Sequence, residues 1–296
     1  MQTACTKNGG LIYFCFVTQS IFIWILFMNS LIRQFFSVEC EKRDVFFHEI
    51  FFLNQQKSWD WKIARQHAPE LPRSWFELSR ISSADRVEFI RDLWLDLIPY
   101  RPKTHEAIAD FFMCLEDVEI ILHRQNAEEP FVAEMVYSLA DNSSFFRGLP
   151  PATREELDAL RSEMPSQLPR DFQAFCQIHN GFGKLSELGV LKVDEISEER
   201  RKIINSLLNA ESLLMLGDEP VDPNSLIPFY ESFGLASYQC FYADWYPEGE
   251  MGNVYLSGID YTISDTADRN TWVENLAFPT FTEWLIYYLE GMSISL

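Results

Sequence analysis

Apolar side chains recur at helical spacing along much of this chain, and one short stretch carries both of its ends in the sequence. In residues 168 to 181, Phe172, Phe175, Cys176 and His179 fall at i, i+3, i+4 and i+7, the spacing of one buried helix face. Pro169 suits a first helical position, where a missing N–H costs nothing, and Asn180-Gly181 tolerates the left-handed conformation that closes a last turn. The spacing predicts a helix of about three turns.

Residues 45 to 140 give helical signals almost throughout. Ser82-Ser83-Ala84-Asp85 reads as a capped start, followed by a stripe of Val87, Ile90, Trp94 and Leu97 that stops at Pro99. Pro102 opens a second stripe, in which Ile108, Phe111, Phe112, Leu115, Val118 and Leu122 repeat at i+3 and i+4. A third, beginning at Pro130, contains Phe131, Met135, Val136 and Leu139. Such stripes need one another to be buried, so residues 29 to 147 are expected to form an all-α helical domain, with Trp59, Trp61 and Trp75 as core or interface aromatics.

Gly148-Leu149-Pro150-Pro151 is the best boundary in the chain, because two prolines after a glycine stop a helix and favour an extended link. Beyond it the pattern changes. Thr153 and Glu156 make a capping box ahead of Leu157, Leu160 and Met164, and residues 195 to 216 read as a further helix. Residues 227 to 256 are rich in Phe, Tyr and Val between turn residues, which predicts strands. Thr280 and Glu283 open a last helix whose Phe281, Trp284, Leu285, Tyr288 and Leu289 make a wide stripe suited to packing on a sheet. Residues 148 to 296 are therefore expected to be α+β, a mostly antiparallel sheet packed by helices.

Leu168-Pro169, an aromatic at Phe172, Phe175, and then Asn180-Gly181 together resemble the core motif of the SUKH superfamily, the Smi/Knr-type regulators of yeast cell-wall synthesis and bacterial proteins that neutralise toxins. The resemblance continues in the family's order. Ile227-Pro228-Phe229 is similar to its Pro-Phe strand, and residues 239 to 244 to the next strand with its terminal aspartate. Residues 252 to 256, with Tyr255, are similar to the paired strand, and residues 278 to 289, with Trp284, to the closing helix. It covers roughly residues 148 to 292. Two departures stand out: Glu231-Ser232-Phe233-Gly234 replaces a glycine-rich turn, and a long insert separates Gly181 from Ile227. The resemblance implies a SUKH-like fold and a non-catalytic module that binds another protein. It also implies that Asp244 sits near a surface cleft and that the loop beside Asn180 lies near the binding face.

Charge adds to this. Residues 1 to 147 hold 15 Lys and Arg against 20 Asp and Glu, and residues 148 to 296 hold 9 against 24, so nets of −5 and −15 make up the chain's −20. An acidic surface of that kind repels phosphate backbones and anionic headgroups, which argues against nucleic acid and favours a basic protein partner, or serves solubility alone. Candidate partner contacts are Asp218, Glu219 and Asp222, together with Asp244, Trp245, Glu248 and Glu250, and Asn180 beside the motif helix. Asp260, Asp265 and Asp268 form another acidic group, and neither group has calcium-loop spacing.

Residues 11 to 28 form an apolar run nearly as long as a bilayer is thick, broken only by Thr18, Gln19 and Ser20. Three readings stay open: a true start at Met28, a membrane anchor, or a signal peptide, against which stand a single preceding cation, Lys7, and the lack of a small-residue cleavage site. Six cysteines without a C-x-x-C pair point to reduced thiols and a cytoplasmic setting. Membrane association would come only through residues 11 to 28.

Catalytic patterns are sparse. The five histidines make no H-E-x-x-H, and there is no G-x-S-x-G, phosphate loop or dinucleotide fingerprint. Glu119 and His123, four apart on an expected helix, offer half a metal site or an acid-base pair, with a surface ion pair as the plainer reading. No metal site, cofactor or enzymatic activity is expected; a membrane-tethered regulator is the alternative to a binding module, and a hydrolase using Glu119 and His123 or the carboxylates around Asp244 the lesser one.

Overall fold

The computed structural model describes residues 30–36, 47–187, 189–210, 213–216, 219–232 and 235–291. The apolar run of residues 11 to 28 lies outside them, as does Asp218. Among the described residues, the chain is α+β, with mainly antiparallel sheets and helices packed on them.

After a short helix α1 (Ser30–Phe35) and a strand β1 (Glu49–Phe52) come α2 (Trp61–His67), α3 (Arg73–Leu78), α4 (Ser83–Leu97) and α5 (Pro102–Met113). The expected starts of the two longer ones hold: Ser82 Oγ accepts from Asp85 N, and Pro102 sits in the first turn of α5. Ile90, Trp94, Ile108, Phe111 and Phe112 are buried as their spacing requires. Trp75 is buried, and Trp59 and Trp61 pack half-buried against the same core.

From Leu115 onward the first half is not helical. Strands β2 (Leu115–Arg124), β3 (Val132–Leu139) and β4 (Phe145–Gly148) replace the expected continuation of the second stripe and the whole third helix. The physical reason is two-sided burial. Val118, Ile120 and Leu122 face the main core, while Ile121 of β2 and Val136 of β3 pack with Ile32, Phe35 and Phe47 on the other side. A strand buried on both faces is a continuous apolar run, in which alternation disappears and helical spacing arises by chance. The expected all-α character of residues 29 to 147 is corrected accordingly: helices lead, and a β-meander follows.

Past the Gly-Pro-Pro link the order is α6 (Arg154–Glu163), α7 (Arg170–Cys176), β5 (Phe182–Lys184), α8 (Val193–Leu208), β6 (Met215–Leu216) and β7 (Glu219–Pro220). It continues with β8 (Leu226–Glu231), β9 (Ser237–Tyr242), β10 (Asn253–Ser257), β11 (Thr262–Ile263) and α9 (Phe281–Glu290). The Thr153–Glu156 box caps α6 in both directions, and Thr280 Oγ1 accepts from Glu283 N at α9. The helix expected over residues 195 to 216 ends at Leu208, and its last two residues form β6.

One five-stranded sheet runs β1-β2-β3-β4-β5 and one six-stranded sheet runs β7-β6-β11-β10-β9-β8. Val190 joins them, bridging to Phe182 on one side and Tyr230 on the other. Leu191 N donates to Phe229 O and Glu231 N to Gly189 O, so the hydrogen-bond ladder passes from one sheet to the next. Strand pairing also crosses residue 148, because β4 pairs with β5. The main core therefore spans both halves, containing Trp94 and Phe111 of the first with Phe172, Phe229, Phe281 and Trp284 of the second, and smaller clusters lie on the far faces of the two sheets.

The motif helix α7 is shorter than expected, although His179 N still donates to Phe175 O and extends it by a turn. Pro169 is its N-cap, and Leu168, Phe172, Phe175, Cys176 and His179 are buried. Gly181 takes φ +100°, the left-handed value that glycine tolerates. Pro228 marks a register shift between β8 and β9, Phe229 is fully buried, and Tyr255 is half-buried with its hydroxyl donating to Ser237 Oγ.

Candidate partner-binding surface

The eight sequence-derived contact residues divide by what their neighbours do to them. Glu219, Asp222 and Asp244 gather at the end of the β8–β9 ladder. Leu226 pairs with Tyr242 there, and Ala243 N donates to Ser225 O at 2.8 Å, which packs the Asp222 turn against the residue preceding Asp244. Asp222 caps that turn, its Oδ1 accepting from Asn224 N, and these hydrogen bonds hold its carboxyl below the usual range. Burial, with the charges of Asp244 and Glu219 behind it, pushes the Tyr242 phenol up, so both carboxylates lie within electrostatic reach of that ring. All three acids are exposed. Glu219 and Asp244 make no ion pair among the described residues.

Glu248 and Glu250 behave differently. Glu248 is clamped between Arg101 of the first half, at 2.7 Å, and Arg269, at 3.1 Å, while Glu250 lies 3.9 Å from Arg170. Burial and then the charge of Glu248 raise the pKa of neighbouring Glu283. These acids belong to a mixed-charge network spanning both halves. Trp245 is half-buried, edge-on to Trp272 at 5.1 Å, and a Cβ at Gly252 would strike its ring. Its role is to hold the 243–252 loop closed, with Gly252 N donating to Trp245 O.

Asn180 is internal to the fold. Its Oδ1 accepts from Val193 N at 2.8 Å, satisfying a free donor at the start of α8. Asp260, Asp265 and Asp268 likewise serve local turns, accepting from Ser257, Ala267 and Asn270.

Glu119 and His123 are not a helical surface pair. Both lie buried on β2 and have separate partners. Glu119 accepts from Asn54 Nδ2 at 3.0 Å, and burial above all raises its pKa to about 7. His123 Nε2 stands 3.1 Å from Glu134, whose carboxylate also receives Arg147 at 2.8 Å. The same masked alternation that made β2 look helical placed these two on the wrong element.

Sequence reasoning missed two buried polar groups that hold the second half together. Asp171, inside the motif helix, accepts from Thr282 N and Thr282 Oγ1, both at 2.9 Å, and so anchors the start of α9. Asn253 Nδ2 donates to Thr280 O at 3.0 Å, fixing the approach to the same helix. The signal for Asp171 was its place in the first turn of α7, where an acid reads as a dipole partner.

Among the described residues, no group of three or more His, Cys, Asp and Glu converges on a metal position. A cleft of about 560 Å³ opens between α6 and α7, lined among others by Arg161, Met164, Leu168 and Gln173. Glu119, Asp171 and His179, buried groups with displaced protonation, do not line it. No helix among the described residues is long and apolar enough to cross a membrane.

No curated protein matches the chain. The SMI1 / KNR4 family (SUKH-1) matches residues 151–286, the segment that carries the motif helix, the Pro-Phe strand and the closing helix in this order. Residues 151–286 belong to the SUKH superfamily.

Proposed function

We propose that the chain is a non-catalytic protein-binding module that holds a basic protein, a toxin or a regulatory partner, on the carboxylates around Tyr242. The observation that carries this reading is the contrast within the acidic residues: Glu219 and Asp244 are exposed beside one ring and make no ion pair among the described residues, whereas Glu248 and Glu250 are already met by arginines. Exposed carboxylates gathered at one place steer a cationic partner without a large desolvation cost. Free Cys114, Cys176 and Cys240 suit the cytoplasm as its setting.

Carbodiimide crosslinking of the full chain to a captured partner tests this, because the reagent joins carboxylates to lysines in contact. The reading expects crosslinks at Glu219, Asp222 and Asp244. Crosslinks confined to other surfaces would remove it.

A further inference from the structure

The outward face of α4 contains an apolar patch that stays exposed among the described residues. Arg86, Ile90 and Trp94 point inward and are buried, which turns Phe89 and Leu93, at i and i+4, toward solvent. Phe89 is 67% exposed and Leu93 37%. With Leu93 one turn on, Phe89 makes a contiguous apolar strip, the kind of surface that marks an interaction site.

The solvent-side flank of the patch carries charge of one sign. Asp85, Glu88, Asp92 and Asp96 share the exposed side of the helix with Phe89 and Leu93. The one cation among them, Arg91, is taken up by Asp92 at 2.7 Å and Glu88 at 3.4 Å. An apolar strip with carboxylates along one flank matches a segment whose leucines or aromatics are flanked by lysine and arginine, and repels acidic helices and anionic lipid.

We propose that this face of α4 is a second docking surface, which takes a basic amphipathic helical segment of a partner protein. It lies outside residues 151–286 and gives the first half of the chain a role that does not depend on the carboxylates around Tyr242.

The test uses the full chain and a synthetic peptide with Leu at i, i+3, i+4 and i+7 and Lys elsewhere, against a shuffled peptide of identical composition. The patterned peptide is expected to slow hydrogen exchange in residues 83–97, and Phe89→Ala with Leu93→Ala to weaken its binding about tenfold. Both side chains are solvent-facing, so the double variant should keep the parent's circular dichroism and urea midpoint. Three results would overturn the proposal. These are equal binding by the double variant, equal binding of the shuffled peptide, and protection mapped to the surface around Tyr242 instead of α4. Concentration-dependent self-association abolished by the double variant would also overturn it, by making a second copy the occupant.

Discussion

Tyr137 Oη lies 2.6 Å from His179 Nε2, and through this contact a strand of the first half is bonded to the motif segment of the second. Leu149 O, 2.9 Å from His179 Nδ1, can only accept, so Nδ1 carries the ring proton and Nε2 accepts from the tyrosine. Trp94 Nε1 then donates to Tyr137 Oη at 3.2 Å. Every polar atom in the chain of contacts from α4 to the inter-half link is satisfied, and all three side chains are buried.

Replacing Tyr137 with Phe removes one oxygen and strands two buried groups, Trp94 Nε1 and His179 Nε2. Loss of about 1–3 kcal/mol is expected in urea unfolding. Because one core spans both halves, tryptophan fluorescence and far-ultraviolet circular dichroism should report the same single transition. Separate transitions would mean that the contact does not couple the halves.

Gly148 ends β4 directly against the His179 ring, where an added Cβ would collide. Gly148→Ala is expected to cost about 1–3 kcal/mol through overpacking. In a His179→Ala background the ring is gone, and the same methyl should cost little. Additive effects in the double-mutant cycle would show that the glycine is needed for some other reason.

The pH dependence contains two opposed contributions. Burial lowers the His179 pKa from 6.5 to about 4, so between these values the unfolded chain binds more protons. The stability it supports is complete above pH 6.5 and is lost as pH falls toward 4. Glu119, raised from 4.5 to about 7 mainly by burial, works the other way. There the folded chain binds more protons, so stability is full below pH 4.5 and falls as pH rises to 7. Glu119→Gln should therefore match its parent at pH 4.5 and exceed it by about 3 kcal/mol above pH 7, in urea titrations across that range. A difference that does not change with pH would contradict the assignment.

Asp171 joins α7 to α9 by accepting two hydrogen bonds from Thr282, and it accepts a third from Phe172 N within α7. Asp171→Ala leaves these donors buried and unpaired, and is expected to cost about 1–3 kcal/mol. Asp171→Asn keeps an acceptor and should cost less. Equal losses, measured by thermal unfolding, would put the effect on charge and not on the bonds.

How much of this was legible in the sequence depended on what each element buries. Caps written in polar side chains, at Ser82, Thr153 and Thr280, act locally and could be read directly. The motif helix also showed, through its i, i+3, i+4 and i+7 apolar positions, and the strands after Ile227 showed through their Phe, Tyr and Val between turn residues, although that sheet too is covered on both faces. Strands β2 and β3 did not, since the sheet is covered on both faces and its alternation is lost. The stitch at Val190 and the Arg101–Glu248 pair join residues far apart in sequence, and no local pattern encodes them. Among the contact residues, the sequence identified exposed acids but could not distinguish Asp244 from Glu248, whose difference is set by where Arg101 and Arg269 fold.

The most direct test of the partner-binding account is the association rate of a captured partner, followed across rising salt for the parent chain and for Glu219→Gln, Asp222→Asn, Asp244→Asn combined. The parent's rate should be at least about tenfold faster at low salt and converge on the variant's as the charges are screened. Identical rates and identical salt slopes for the two proteins would contradict it.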